Sequence, residues 1–269
     1  MSRRESPDHA FVAATSVSGR SVAPARLRAL LAGPGILELP TVCDPLGART
    51  AVAAGFAAVT LPGFAVGAHL AGDILLSLAD VERAVGRVAD AGGVPVLLDA
   101  DTGWVPLADL PTAVRRLASA GATAVRLSTQ HLPAAVPFQD AVEHRRAHQE
   151  LLRRVRAVAD VDVVLTVRCD VDTDRYERAA ELLDAGAEAL LVGSTDETVL
   201  RGLPAEFPDA WLIHATNPAV PGLPSAYPVD RLATWGYAGV GNQYHRCYCA
   251  RIAPVAAGEQ RQPHVAGRG

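Results

Sequence analysis

Val94-Pro95-Val96-Leu97-Leu98-Asp99-Ala100-Asp101-Thr102-Gly103-Trp104 sets five uncharged residues directly before two carboxylates one residue apart, then a glycine and an aromatic. The uncharged run has the length and character of a strand buried on both faces. Such a strand should not end in two acids unless something there uses them. In a parallel α/β protein the C-terminal strand ends are where ligands bind, and carboxylates spaced i, i+2 can both face one hard cation. The same two aspartates could instead cap the next helix or bond loop amides, so both readings stand at this level.

Outward from that stretch, a helical segment, a glycine and a short apolar run recur. Examples are Ala54-Gly55-Phe56-Ala57-Ala58-Val59, Ala120-Gly121-Ala122-Thr123-Ala124-Val125, Ala185-Gly186-Ala187-Glu188-Ala189-Leu190 and Trp235-Gly236-Tyr237-Ala238-Gly239-Val240. Glycine past a helix end supplies a left-handed cap, and the apolar run after it is the next buried strand. Strands are expected at 36–42, 57–61, 94–98, 124–127, 163–167, 189–192, 211–214 and 238–241. Helices are expected between them, with a last one from about 243 to 257. Eight such units predict an α/β chain folded as a (β/α)8 TIM barrel, with a doubly wound open sheet as the alternative. Neither a P-loop nor a GxGxxG turn opens any helix.

With 269 residues and no break in composition, one large domain is expected, at 24–258. A loose N-terminal arm is expected at 1–23 and a flexible tail at 259–269. The net charge of -4 gives no footprint for nucleic acid or an anionic membrane, which leaves a small soluble partner. All 25 basic residues are arginine. Without lysine there is no Schiff base, so pyridoxal phosphate and class I aldolase chemistry are excluded. Cys43, Cys169, Cys247 and Cys249 are scattered, as in a reducing compartment. Residues 1–9 are polar and charged, and no uncharged apolar run reaches spanning length, so a cytoplasmic protein is expected.

In a barrel the residues after each strand share one rim. They are Cys43 and Asp44; Pro62, Gly63 and Phe64; Asp99 and Asp101; Ser128, Thr129 and Gln130; Arg168 and Asp170; Gly193 and Ser194; Thr216 and Asn217; and Asn242. In this order they resemble the isocitrate lyase / phosphoenolpyruvate mutase superfamily, from about Leu27 to about Ala250. The most specific piece is Leu98-Asp99-Ala100-Asp101-Thr102-Gly103-Trp104, close to the D-x-D-x-G-[YFW] signature of that superfamily. Residues 39–49, Ala54-Gly55-Phe56, Leu61-Pro62-Gly63-Phe64, Val167-Arg168-Cys169-Asp170 and Ala185-Gly186-Ala187 support it.

The resemblance implies a barrel that binds Mg²⁺, or Mn²⁺ in its place, and chelates a 2-oxo or 2-hydroxy carboxylate. By position, Asp99 and Asp101 match the metal pair, and Asp73 an acid reaching the metal through water. Pro62, Gly63 and Phe64 match the loop that holds a substrate carboxylate, and Arg168 the arginine that pairs with it. Asp44 and Asn217 are further substrate-binding candidates. Homo-oligomers, dimers or tetramers, are also implied.

The departures are specific. Where the superfamily has Glu-Asp after the fourth strand and a lid with a Lys/Cys motif, this chain has Ser128-Thr129-Gln130-His131 and a lid with neither lysine nor cysteine. The acid often found after the sixth strand is replaced by Gly193-Ser194. The isocitrate lyase reaction itself is therefore not expected, and Mg²⁺ should be held weakly until a chelating substrate adds oxygens.

What remains is stabilisation of an enolate by Asp99, Asp101 and Arg168, with a proton carried by His131, Cys43, Cys169, His245 or a metal-bound water. Arg168, His131 and Asp101 are thus the catalytic candidates. The function expected is a Mg²⁺-dependent C–C lyase or hydrolase of a small 2-oxo or 2-hydroxy (di)carboxylic acid. The alternatives are a P–C mutase or hydrolase on a phosphonopyruvate-like substrate and a barrel that only binds. His144 and His148 share a helix face, but 143–150 reads as a solvated outer surface.

Overall fold

The computed structural model describes residues 22–63, 66, 77–101, 103–129, 141–170, 175–194, 196–216 and 227–242. Its strands are β1 (Leu37–Pro40), β2 (Val59–Pro62), β3 (Val96–Asp99), β4 (Ala124–Leu127), β5 (Val164–Asp170), β6 (Ala189–Gly193), β7 (Trp211–Thr216) and β8 (Gly239–Asn242). All pair in parallel in the order β1-β8-β7-β6-β5-β4-β3-β2. The ends of the series meet at a Thr41–Thr60 bridge, where the Val42 amide donates to the Thr60 carbonyl at 2.8 Å. This is the (β/α)8 barrel expected, and the open sheet is set aside. Each strand falls where an apolar run predicted it, with ends shifted by a few residues.

The helices are α1 (Pro24–Leu31), α2 (Pro45–Ala53), α3 (Leu78–Gly92), α4 (Leu110–Ala120), α5 (Ala141–Val158), α6 (Arg175–Asp184), α7 (Glu197–Glu206) and α8 (Val229–Trp235). Local chemistry sets their ends. At α3, Ser77 and Asp80 form a reciprocal capping box, and Val81, Val85 and Val88 form the buried stripe. Gly121 ends α4 at φ 119°, where a side chain would also strike Ala89, its Cβ 2.6 Å away.

Two apolar layers result. Leu61, Leu98, Val125, Leu127, Val163, Leu165, Leu190, Val192 and Leu212 face the helices. Leu37, Leu39, Leu97, Ala124, Val164, Ala189, Leu191 and Ile213 fill the barrel. Leu27 and Leu31 of α1 join the inner cluster, so this helix closes one end of the barrel. Arg28 pins it there, donating to Glu188 at 2.7 and 2.9 Å and to Asp162 at 3.1 Å, beside the starts of β6 and β5. The opposite end, where the strands finish, carries the polar residues.

Candidate active site

Asp99, the last residue of β3, stands in register with Pro62 on β2 and Arg126 on β4. Register partners present their side chains to the same face, here the barrel interior. Asp99 and Arg126 are each only 4% exposed, so neither charge can rely on water. They form a two-pronged pair: Nε of Arg126 donates to Oδ1 of Asp99 at 3.0 Å, and Nη2 donates to Oδ2. The Asp101 amide adds a bond to Oδ1 at 3.3 Å. Thr166, in register with Arg126 on β5, is fully buried, and its hydroxyl lacks a hydrogen-bond partner.

One step toward the rim, the ladder between the two strands continues past their ends. The Ala100 amide donates to the Arg126 carbonyl at 2.9 Å and the Ser128 amide to the Asp101 carbonyl at 2.7 Å. The backbone then folds sharply, with φ of 46° at Asp101, 94° at Gly103 and 57° at Trp104. Left-handed φ at two non-glycine residues costs on the order of 1–3 kcal/mol each, and such strain clusters at functional sites. The fold brings Trp104 over Gly63. A Cβ on Gly63 would lie 2.7 Å from Cζ2 of Trp104, 3.1 Å from the Asp99 carbonyl and 3.4 Å from Oδ2 of Asp101, so only glycine fits.

That Oδ2 of Asp101 is buried with no hydrogen-bond partner. Burial pushes the Asp101 carboxyl up to about 6, while the positive charge of Arg168 on β5 pulls it the other way. Pro62, Gly63, Asp99, Asp101 and Arg168 thus come together at the C-terminal rim. Asp44 is the N-cap of α2, accepting from the Gly47 amide at 2.7 Å, a structural task that the sequence reading did not assign it. Phe64, Asp73, His131, Asn217 and His245 lie outside the described residues, as do residues 1–21 of the expected arm, the tail and the last helix.

Cys43 is half-buried, and burial, with the nearby Asp44 charge, pushes its thiol up, away from the thiolate a nucleophile or proton carrier needs. Cys169 is buried in the outer cluster. Two features differ from the sequence reading. Arg126 was not among the candidates, although a lone charge in the apolar run Ala124-Val125-Arg126-Leu127, at the parity of Ser128, was its signal. His148 does not sit on a solvated face: it is 7% exposed, and its Nε2 lies 2.7 Å from Oε2 of Glu181 on α6. α6 packs beside α5, covering a surface whose own charges suggested exposure.

The Asp99 position does not fit the implied Mg²⁺. Three of its four lone-pair directions are taken by Arg126 and the Asp101 amide, and the guanidinium already balances its charge. At about 4 Å and an effective dielectric near 20, like unit charges repel by about 4 kcal/mol, and a dication doubles that. The residue that the resemblance would make a supporting carboxylate is Ser128, buried and neutral. Among the described residues no group of three or more His, Cys, Asp or Glu side chains is placed to hold a metal ion.

Residues 27–257 match the sequence profile of the family described as Phosphoenolpyruvate phosphomutase. The chain is 30% identical over 230 residues to a phosphoenolpyruvate phosphomutase of Streptomyces hygroscopicus, covering 80% of this chain and 72% of that one. It is 32% identical over 228 residues to a probable 2-methylisocitrate lyase 1 of Corynebacterium glutamicum, covering 79% of this chain and 73% of that one. In three dimensions it resembles the phosphoenolpyruvate phosphomutase of Streptomyces platensis subsp. rosaceus, with TM-score 0.71 and 25% identity over 88% of this chain and 85% of that one.

Proposed function

The chain belongs to the phosphoenolpyruvate phosphomutase family, within the isocitrate lyase / phosphoenolpyruvate mutase superfamily, and from that premise we propose that it is an enzyme cleaving a C–C bond in a small 2-oxo or 2-hydroxy carboxylic acid. The observation that carries this reading is the rim itself. An aspartate with a buried, partnerless oxygen sits in the field of Arg168, against Gly63, on a strained turn. A buried unsatisfied polar atom costs roughly 1–3 kcal/mol, a cost that a ligand hydroxyl bonded to that oxygen would offset.

For a 2-hydroxy acid the chemistry runs as follows. Arg168 pairs with the substrate carboxylate, and Gly63 lets the backbone approach it closely. A base takes the hydroxyl proton, the C–O bond becomes a carbonyl, and the C–C bond breaks. Its electron pair passes into the departing fragment as an enolate, which then takes up a proton. Asp101, with its carboxyl raised toward neutrality and its Oδ2 free, is suited to accept that hydroxyl proton. Arg168 and the inner Arg126 supply positive potential for the enolate. No step in this scheme passes through a metal ion.

The test is a panel of small hydroxy- and oxo-carboxylic acids: for hydroxy acids such as 2-methylisocitrate the released 2-oxo acid is followed by hydrazone absorbance, and for oxaloacetate the loss of its own enol absorbance is followed. Turnover of at least one, lost in Asp101→Asn, is expected. Conversion of phosphonopyruvate seen by ³¹P NMR, with no member of the panel turned over, would move the reading to P–C chemistry, which the likeness to the Streptomyces hygroscopicus mutase keeps in view.

The protein is further proposed to be a homo-oligomer built on barrel surfaces. Leu46 and Val52 of α2 are exposed apolar side chains that such a contact would cover. A monomer by light scattering at micromolar concentration would contradict this.

A further inference from the structure

We propose that the Arg126 guanidinium permanently fills the place of a divalent cation beside Asp99, so that this chain binds its carboxylate ligand without a metal ion. The inference rests on the carboxylate-site reading above and names what supplies the positive charge in that site.

The first observation is geometric. Asp99 and Arg126 are register partners, both buried, joined through Nε and Nη2 to the two carboxylate oxygens. A guanidinium fork matches a carboxylate edge on, and its charge persists at every accessible pH. Breaking the pair to admit an ion would leave that charge buried without a partner, a cost of several kcal/mol that ion binding would have to repay.

The second observation is local charge. Arg126 matches the Asp99 carboxylate, and Ser128, where the resemblance would put a further carboxylate, is buried and neutral. A divalent ion beside Asp99 would meet a guanidinium already in place instead of an unmatched pair of carboxylates. The free Oδ2 of Asp101 then serves as an acceptor for a hydroxyl of the ligand.

The third is the depth of the pair. Arg126 lies one ladder step below Asp101 and Ser128, so it does not occupy the space a ligand needs. From there it acts through the low-dielectric wall as a fixed positive charge, needing no reorganisation as negative charge develops above it.

Two measurements on the wild-type protein test this. Mn²⁺ titration followed by EPR, with no ligand present, should show no stoichiometric site up to about millimolar ion. Calorimetric titration of oxalate, a compact enolate-like dianion, should give the same Kd within about twofold in 5 mM EDTA as in buffer alone, an expected outcome scaled to ordinary affinity differences. A stoichiometric Mn²⁺ site in the wild type, or oxalate binding that vanishes in EDTA and returns with Mg²⁺, overturns the proposal. So does the absence of oxalate binding under both conditions. That last result is told apart from failure of the functional reading by the turnover assay, which does not use oxalate.

A gain-of-site variant sharpens the test. Arg126→Met with Ser128→Glu removes the fixed cation and adds a carboxylate, and it should acquire an Mn²⁺ signal. Circular dichroism confirms that it folds, and if it does not, the wild-type measurements still decide the matter.

Discussion

Asp99 and Asp101 stand two residues apart on the same inner wall, and their surroundings are opposite. Asp99 ends a strand whose register neighbour is Arg126, so its charge is matched by a two-pronged partner. Asp101 lies just beyond the strand, beside the neutral Ser128, on a turn with φ of 46°. Its Oδ2 is left unbonded, and burial raises its carboxyl to about 6. The difference teaches that, in a parallel barrel, the neighbouring strand decides how an acid is held: of two identical residues, the one in register with Arg126 is paired and the one just past the strand is left with an unbonded oxygen.

The largest expected effect comes from breaking the paired half. Arg126→Met should lower unfolding free energy by about 3–5 kcal/mol, because it strands a buried carboxylate, while Asp99→Leu with Arg126→Met should recover most of the loss. Urea unfolding of the three proteins measures this. A cost below about 1 kcal/mol for the single change would mean that the pair is not what holds Asp99.

A second effect sets the inner wall against the outer one. His214 on β7 is 2% exposed, its Nδ1 has no hydrogen-bond partner, and it packs edge-on to Tyr227 and Tyr237 at centroid distances of 6.0 and 5.9 Å. Burial lowers its pKa from 6.5 to about 4. The unfolded chain therefore binds the proton more tightly, and stability is full above about 6.5 and falls as pH drops toward 4, by roughly 3 kcal/mol from this group. Asp101 has the reverse sign: the folded state holds the proton more tightly, so its contribution is present at low pH and is lost as pH rises from about 4 through 6. Stability measured from pH 4 to 7 should lose its histidine limb in His214→Gln and keep it in Asp101→Asn.

Third, Gly63→Ala should cost about 1–3 kcal/mol, since the new methyl must displace Trp104 or the Asp99 carbonyl. It should also weaken oxalate binding. Unchanged binding with lowered stability would restrict Gly63 to packing.

A change of opposite sign is expected at the open half. Asp101→Asn should raise unfolding free energy at pH 7, by at most about 3 kcal/mol, because it removes a buried charge with no bonded partner, while abolishing turnover. A variant that is less stable at pH 7 would show that Asp101, like Asp99, is held by its surroundings, and the contrast between the two would fail.

The sequence by itself determined the barrel and the place of its polar rim. Apolar runs long enough for one buried strand, separated by helical segments that end at glycines such as Gly121 and Gly236, admit few folds, because each signal is local to its segment. The spacing of Asp99 and Asp101 after such a run was equally local, and it marked the strand end where the candidate site lies. Only the tertiary structure decided what those acids do. Arg126 is 27 residues from Asp99 along the chain and meets it through strand register, which no local pattern encodes. The same holds for His148, which reads as a surface residue on a charged helix until α6, 33 residues on at Glu181, covers it. Burial and pairing are properties of what lies across a contact, and a contact between distant segments exists only once the chain has folded.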